Sequence, residues 1–293
     1  MKHSLLLLPL LAVPCVLCSY KVAAGTHADT TVNKPLETSA DHLAIVELVL
    51  SEEEIKAFKA GYEGDIAEWD KLNKSNLAAG YCSGAATAGR TELVQQCLDK
   101  GVDSGAALFG AAFGGHPVLV QSMLDKGAHP GWALAGASLG GHMDTVKSLL
   151  EQGVFLPRVI YYAALGGNAD IVTLLIEKGD SPSMGLVGAV KAGNLDMVQL
   201  LLDKGAYPNE GLAEAVEYGH ISVVRLLLEK GANPTWGLFV AAEHGEIEIL
   251  KLLLAQPGID VNEKDYDGKT PLDYAIENGH TECAELLRAA GGR

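Results

Sequence analysis

From about residue 76 onward the apolar residues fall on a fixed grid. Gly89, Gly115, Gly141, Gly167, Gly193, Gly219 and Gly245 stand 26 residues apart, and a second glycine follows twelve residues after most of them, from Gly101 to Gly231. Counted from the first glycine, positions −7, −4 and −3 are small or aliphatic, as in Leu134, Ala137 and Ser138 or Leu212, Ala215 and Val216. That i, i+3, i+4 spacing predicts one face of a short helix. Positions +4, +5, +8 and +9 are apolar again, as in Met197, Val198, Leu201 and Leu202. They predict a second helix whose remaining positions, such as Gln121, Asp125 and Lys126, face water.

The residues between these stretches agree with two helices per period. Glu92, Asp144, Asp170, Asp196 and Glu248 fall in the first turn of helix two, where the helix dipole favours negative charge. Pro117 occupies an early-turn place where its missing N–H costs nothing. The second glycine suits a left-handed helix end. Pro130, Pro182, Pro208 and Pro234, three residues later, are read as blocks to further helix. Helices of about ten residues are marginal alone. A regular period of this length therefore predicts a solenoid, each unit burying its apolar face against its neighbours.

The last unit, DVNEKDYDGKTPLDYAIENGHTECAELLRAAG, resembles the ankyrin repeat almost position for position, with D-x-D-G-x-T-P-L and a Gly-His before helix two. Earlier units, such as AVEYGHISVVRLLLEKGANP, carry the helical half of that pattern. The resemblance covers residues 76–291, about eight repeats. It implies an all-α fold, a curved α-solenoid of stacked helix pairs. An ankyrin repeat has about 33 residues, including a β-hairpin finger. The 26-residue units here are too short for that finger, so tight turns are expected in its place, with one full finger at Asp260–Thr270.

Ahead of the array, Ser51-Glu52-Glu53-Glu54 is a capping-box pattern opening a degenerate helix pair. Residues 41–75 are read as an N-terminal cap, residues 25–40 as a flexible leader and 76–293 as the repeat array. Residues 1–24 read as a signal peptide. Met1-Lys2-His3 is a short basic start, Leu5 to Leu17 is apolar, and Val22-Ala23-Ala24 offers small residues for cleavage. The apolar run is shorter than the roughly 20 residues that span a bilayer. An uncleaved anchor is the competing reading. The expected chain is exported, secreted or periplasmic, and meets a membrane only through this signal.

Formal net charge is −15 and the isoelectric point about 5.0, which argues against nucleic acid and suits basic or apolar partners. Cys82, Cys97 and Cys283 remain after the signal, an odd number that does not suggest a disulfide framework. His116, His142, His220 and His280 all stand at +1, one per unit, so they cannot converge on one metal, whose ligands lie about 2.1 Å away. The resemblance implies instead that each hydrogen-bonds a turn. Paired glycines such as Gly114-Gly115 lack the lysine and the preceding strand of a phosphate loop. No catalytic motif is present after the signal, and neither an enzyme nor a cofactor is expected.

Positions −2 and −5 of helix one point away from the −7/−4/−3 face and are read as the concave side. They give an apolar stripe, Phe113, Leu139, Tyr162 and Leu165, passing through Lys191 to the acidic Glu217 and Glu243. Trp132 and Trp236 lie close to the shortened turns and fit either packing or binding, since tryptophan is enriched in binding hot spots. Phe113, Leu139 and Leu165 either line a groove or fill space opened by the missing fingers. Phe109, Tyr161 and Phe239 are assigned to packing between repeats. Residues 203–293 hold 16 Asp and Glu against 8 Lys and Arg. The partner so predicted is a polypeptide with an apolar segment followed by a basic one, bound by a monomer. An accessory role beside a partner enzyme, a small-ligand pocket and an architectural spacer are the alternatives.

Overall fold

The structure, a computed structural model, describes residues 39–47, 50–72 and 77–293. Residues 1–38, which hold the expected signal peptide and all but the last two residues of the expected leader, lie outside them. The described residues are all-α, with no strand, and form two compact units that divide between Asp180 and Ser181.

In the first unit α1 spans Ser39–Glu47 and α2 Glu52–Glu63, followed by α3 (Ile66–Leu72), α4 (Ala78–Thr87), α5 (Thr91–Asp99) and α6 (Ser104–Phe113). The unit continues through α7 (Pro117–Asp125), α8 (Gly131–Gly140), α9 (Met143–Glu151), α10 (Val159–Leu165) and α11 (Ala169–Glu177). The capping box forms at Ser51: its hydroxyl accepts from the Glu54 N–H while the Glu54 carboxylate accepts from the Ser51 N–H. In the second unit come α12 (Pro182–Lys191), α13 (Leu195–Asp203), α14 (Asn209–Glu217) and α15 (Ile221–Glu229). They are followed by α16 (Pro234–His244), α17 (Ile247–Leu254), α18 (Pro271–Glu277) and α19 (Thr281–Ala289).

The grid is the core. Leu108 and Ala111, Leu134 and Ala137, Ile160 and Ala163, Leu186 and Ala189, Leu238 and Ala241 are all fully buried. In the second helices positions +5 and +8 are buried as well, as in Val224 and Leu227, and so is +4, as in Val223, except at the half-buried Leu93 and Thr145. Position +9 is only half-buried at Leu124, Leu202 and Leu228, because it turns toward the solvent side. The thiols of Cys82, Cys97 and Cys283 are free and buried, acting as small apolar groups.

Both glycines of a period take left-handed backbone; Gly115 has φ +73° and Gly127 φ +86°. At Gly115 a second constraint applies, since a Cβ there would stand 2.4 Å from the His142 ring of the next repeat. One exception is Arg158, the only non-glycine with positive φ among the described residues, at +66° just before α10.

The prolines correct the sequence reading. Pro182 and Pro234 occupy the first turn of α12 and α16, and Pro130 and Pro208 directly precede α8 and α14. They begin the next helix rather than end the last one, because a fixed φ near −65° is already helical and no N–H is needed there.

The short turns are held by side chains in place of a strand ladder. Ser183 Oγ accepts from the Tyr207 N–H at 3.0 Å, and Asn209 Oδ1 accepts from the Asn233 N–H at 2.7 Å, each joining one turn to the next. The one long junction, expected to be a full finger, is a hydrogen-bonded loop without strands. Within it Asp265 Oδ1 accepts from the N–H groups of Asp267 and Lys269, and the Asp265 N–H bonds the Lys269 carbonyl at 3.0 Å.

Candidate protein-binding surfaces

Successive first helices of unit one touch backbone to backbone. A Cβ added at Gly84 would lie 2.0 Å from the Phe58 carbonyl oxygen, at Gly110 2.2 Å from that of Ser83, and at Gly136 2.3 Å from that of Phe109. The same holds at position −1: Gly114 against Thr87, Gly140 against Phe113, Gly166 against Leu139. Helices this close enclose whatever side chain stands at −2.

The apolar stripe is thereby corrected. Phe113, Leu139 and Leu165 are buried, Phe113 completely, and none offers a surface to a partner. Lys191 is buried too, at 6% exposure, its amine 5.4 Å from the centre of the Tyr218 ring. Tyr162 is half-buried in a run of rings, 6.2 Å from Phe109 and 5.4 Å from Tyr161. Ala135 and Gly136 on the intervening α8 leave room for that run. Trp132 is half-buried, its indole within 3.0 Å of where a Cβ of Gly105 would stand, so it packs on the preceding turn.

The four +1 histidines all reach back to a carbonyl of the preceding repeat. His116 Nε2 is 2.8 Å from the Thr87 carbonyl, His142 Nε2 2.9 Å from that of Phe113, and His280 Nε2 2.9 Å from that of Glu243. His220 makes a longer contact, 3.4 Å to the Lys191 carbonyl. Asn168 replaces histidine and donates to both Ser138 and Leu139. Each carbonyl sits at the end of the preceding repeat's first helix, where the helix leaves it without an internal partner.

Large exposed apolar side chains stand on both units, Ile66, Val118 and Phe155 on the first and Tyr207, Trp236, Tyr266 and Ile276 on the second, where two of them stack. Trp236 is 53% and Tyr266 98% exposed, and their rings stack with centroids 6.3 Å apart at 29°. Trp236 also contacts Phe239, which is buried and meets Tyr274 edge-on at 6.1 Å. Tyr274 donates to Asp265 Oδ2 at 2.6 Å. That bond is the main reason the phenol is pushed up to about 12, and it holds the Asp265 carboxyl below its usual range. Lys269 lies 5.4 Å over the same ring while pairing with Glu277 at 2.6 Å. Glu243 is exposed on α16 and Glu217 half-buried on α14. Beside Glu217, burial and the second carboxylate push the Glu214 carboxyl up.

Tyr266 was not among the sequence candidates. Its signal was the length of its junction, fourteen residues from Gly258 to Leu272 against seven from Gly205 to Leu212, which carries a side chain out to the tip. Tyr207, 69% exposed on a short turn, was missed as well. On unit one a shallow open depression on α7 is lined by Pro117, Val118, Gln121, Ser122, Asp125 and Lys126. It has no convergent polar groups. No helix of the described residues is long and apolar enough to cross a membrane.

Stacked helix pairs, four of them with a +1 histidine against a carbonyl of the preceding repeat, define a helical repeat protein. A family model for ankyrin repeats (3 copies) matches residues 134–211, 160–236 and 212–292, together more than half of the chain. The chain belongs to the ankyrin repeat family. A comparison with curated proteins gave no match. Ankyrin repeat proteins are in general protein–protein interaction modules and generally non-enzymatic.

Proposed function

We propose that the chain is a non-catalytic binding module that takes a polypeptide on the aromatic and acidic face of its second unit. The carrying observation is the exposed stack of Trp236 on Tyr266, with Glu243, Asp265 and Glu277 on the same elements or the adjoining loop. Large flat rings supply contact area at low entropic cost, and tryptophan and tyrosine dominate binding hot spots. Cations are attracted to aromatic faces, and Lys269 over Tyr274 shows this chemistry within the chain itself. A partner with an apolar side chain followed by Lys or Arg fits both halves. The face replaces the buried −2 stripe as the place of contact. The chain is proposed to act as an exported monomer, which gel filtration and N-terminal sequencing of the secreted protein check.

Fluorescent peptides with an apolar run followed by a Lys/Arg run provide the test. Affinity should fall about thirtyfold in Trp236→Ala/Tyr266→Ala, corresponding to the roughly 2 kcal/mol that marks a hot spot, with helical circular dichroism unchanged. It should also weaken as salt rises from low to physiological strength, because exposed charges are screened beyond about 8 Å. Equal affinity in the variant would discard this face.

A further inference from the structure

Helix α1 belongs to no repeat. Pairing runs α2 with α3, α4 with α5 and onward, which leaves Ser39–Glu47 over. Nine residues do not sustain a helix in water without packing. The packing comes from one face, at i, i+3 and i+4: His42 is 8% exposed, Ile45 1% and Val46 6%.

That face rests on the first helices of unit one. The His42 ring meets Phe113 of α6 edge-on at 4.7 Å and stands 6.5 Å from Tyr62 of α2. Glu47 pairs with Lys59 of α2 at 2.6 Å. One short helix thus reaches two first helices that α4 separates in the stack, so it lies across the row rather than joining it. Part of the reason Phe113 is covered is this crossing helix.

We propose that α1 is an intramolecular ligand, a displaceable helix occupying a helix-binding site on the first-helix face of unit one. Among the described residues its hold includes three buried side chains and a solvent-exposed ion pair of the kind worth little. Each repeat helix is instead fixed by neighbours before and after it. Tethering through the few residues before Ser51 raises the effective concentration of α1 at the site, so it wins over a free helix of equal affinity. A partner able to replace it carries the same three points, an imidazole or aromatic side chain followed three and four residues later by aliphatics. This site is independent of the aromatic face in unit two.

Two measurements on the full chain decide the matter. In wild type, native-state hydrogen exchange should show the amides of residues 39–47 opening while α4, α6 and α8 stay closed. Exchange of α1 only together with those helices would overturn the proposal. In the variant Ile45→Asp/Val46→Asp, α1 should lose protection with α4–α10 retained. A fluorescein-labelled peptide spanning Glu37–Leu50 should then bind the variant at least tenfold more tightly than wild type. No binding to the variant, equal binding to both proteins, or collapse of the whole unit in the variant would each refute a displaceable α1.

Discussion

At the scale of single residues, the distance between first helices is set by which positions lack a Cβ. Gly110→Ala places a methyl 2.2 Å from the Ser83 carbonyl, which belongs to backbone and cannot rotate away. Overpacking of this kind costs about 1–3 kcal/mol, and alanine's better helix propensity returns about 1 kcal/mol at most. A lower melting temperature is expected. Gly80→Ala on α4 is the control: its nearest neighbour would be 3.6 Å away, an ordinary contact, so propensity wins and stability should hold or rise. Equal effects of the two substitutions in thermal unfolding would contradict the close-approach argument. Arg158 offers the reverse case, since its positive φ is strained for any side chain. Arg158→Gly should stabilise by about 1 kcal/mol. Glu214 makes a pH prediction. Burial raises its carboxyl above the ordinary 4.5, so the folded state holds the proton more tightly than the unfolded one. The resulting destabilisation is absent below 4.5 and grows as pH rises through the folded value. Glu214→Gln should therefore raise the melting temperature at pH 7 and leave it unchanged in acid.

At the scale of elements, the helix grid was legible because burial at −7, −4 and −3 depends only on a helix's own periodicity. What the −2 side chain does depends on a neighbour 26 residues away. Phe113 and Leu139 look outward on a helical wheel and are enclosed because glycines at −1 and −5 bring the next helix in and, at Phe113, because α1 crosses over it. The prolines were misread for a related reason. In a junction this short the end of one helix and the start of the next nearly coincide, and Pro182 serves the start. Helix α1 left no trace in the pattern, since it has no repeat to be compared with. The start of α18, by contrast, was written plainly: the Thr270 hydroxyl and the Asp273 carboxylate form a capping box beside Pro271. Hydrogen bonds from Thr270 hold the Asp273 carboxyl below its usual range. Thr270→Ala should cost about 1 kcal/mol, seen as a lower denaturant midpoint with an unchanged slope.

At the scale of the whole molecule, acidity and repetition together pointed to a binding protein, and the family match agrees. The position of the binding face was legible only in part. Its acidic half could be counted from residue 203 onward. The open ring pair could not, because Trp236 gains its partner Tyr266 from the following long loop. A last consequence follows from the +1 side chains. His142 serves a carbonyl that ends the repeat before its own, so a junction of this kind is written half in one unit and half in the next. Within the helices, loss or duplication of chain is then tolerated in whole packets, extra residues being accommodated only in a junction loop such as that of the last unit. Deleting Gly127–Gln152 delivers Asn168 to the Phe113 carbonyl in place of His142, donor meeting acceptor as before. Such a shortened chain should melt cooperatively, somewhat below the parent. Deleting only Gly127–Val146 leaves that carbonyl facing the wrong residue and should abolish the transition. The protein's length behaves, on this account, as a quantised quantity.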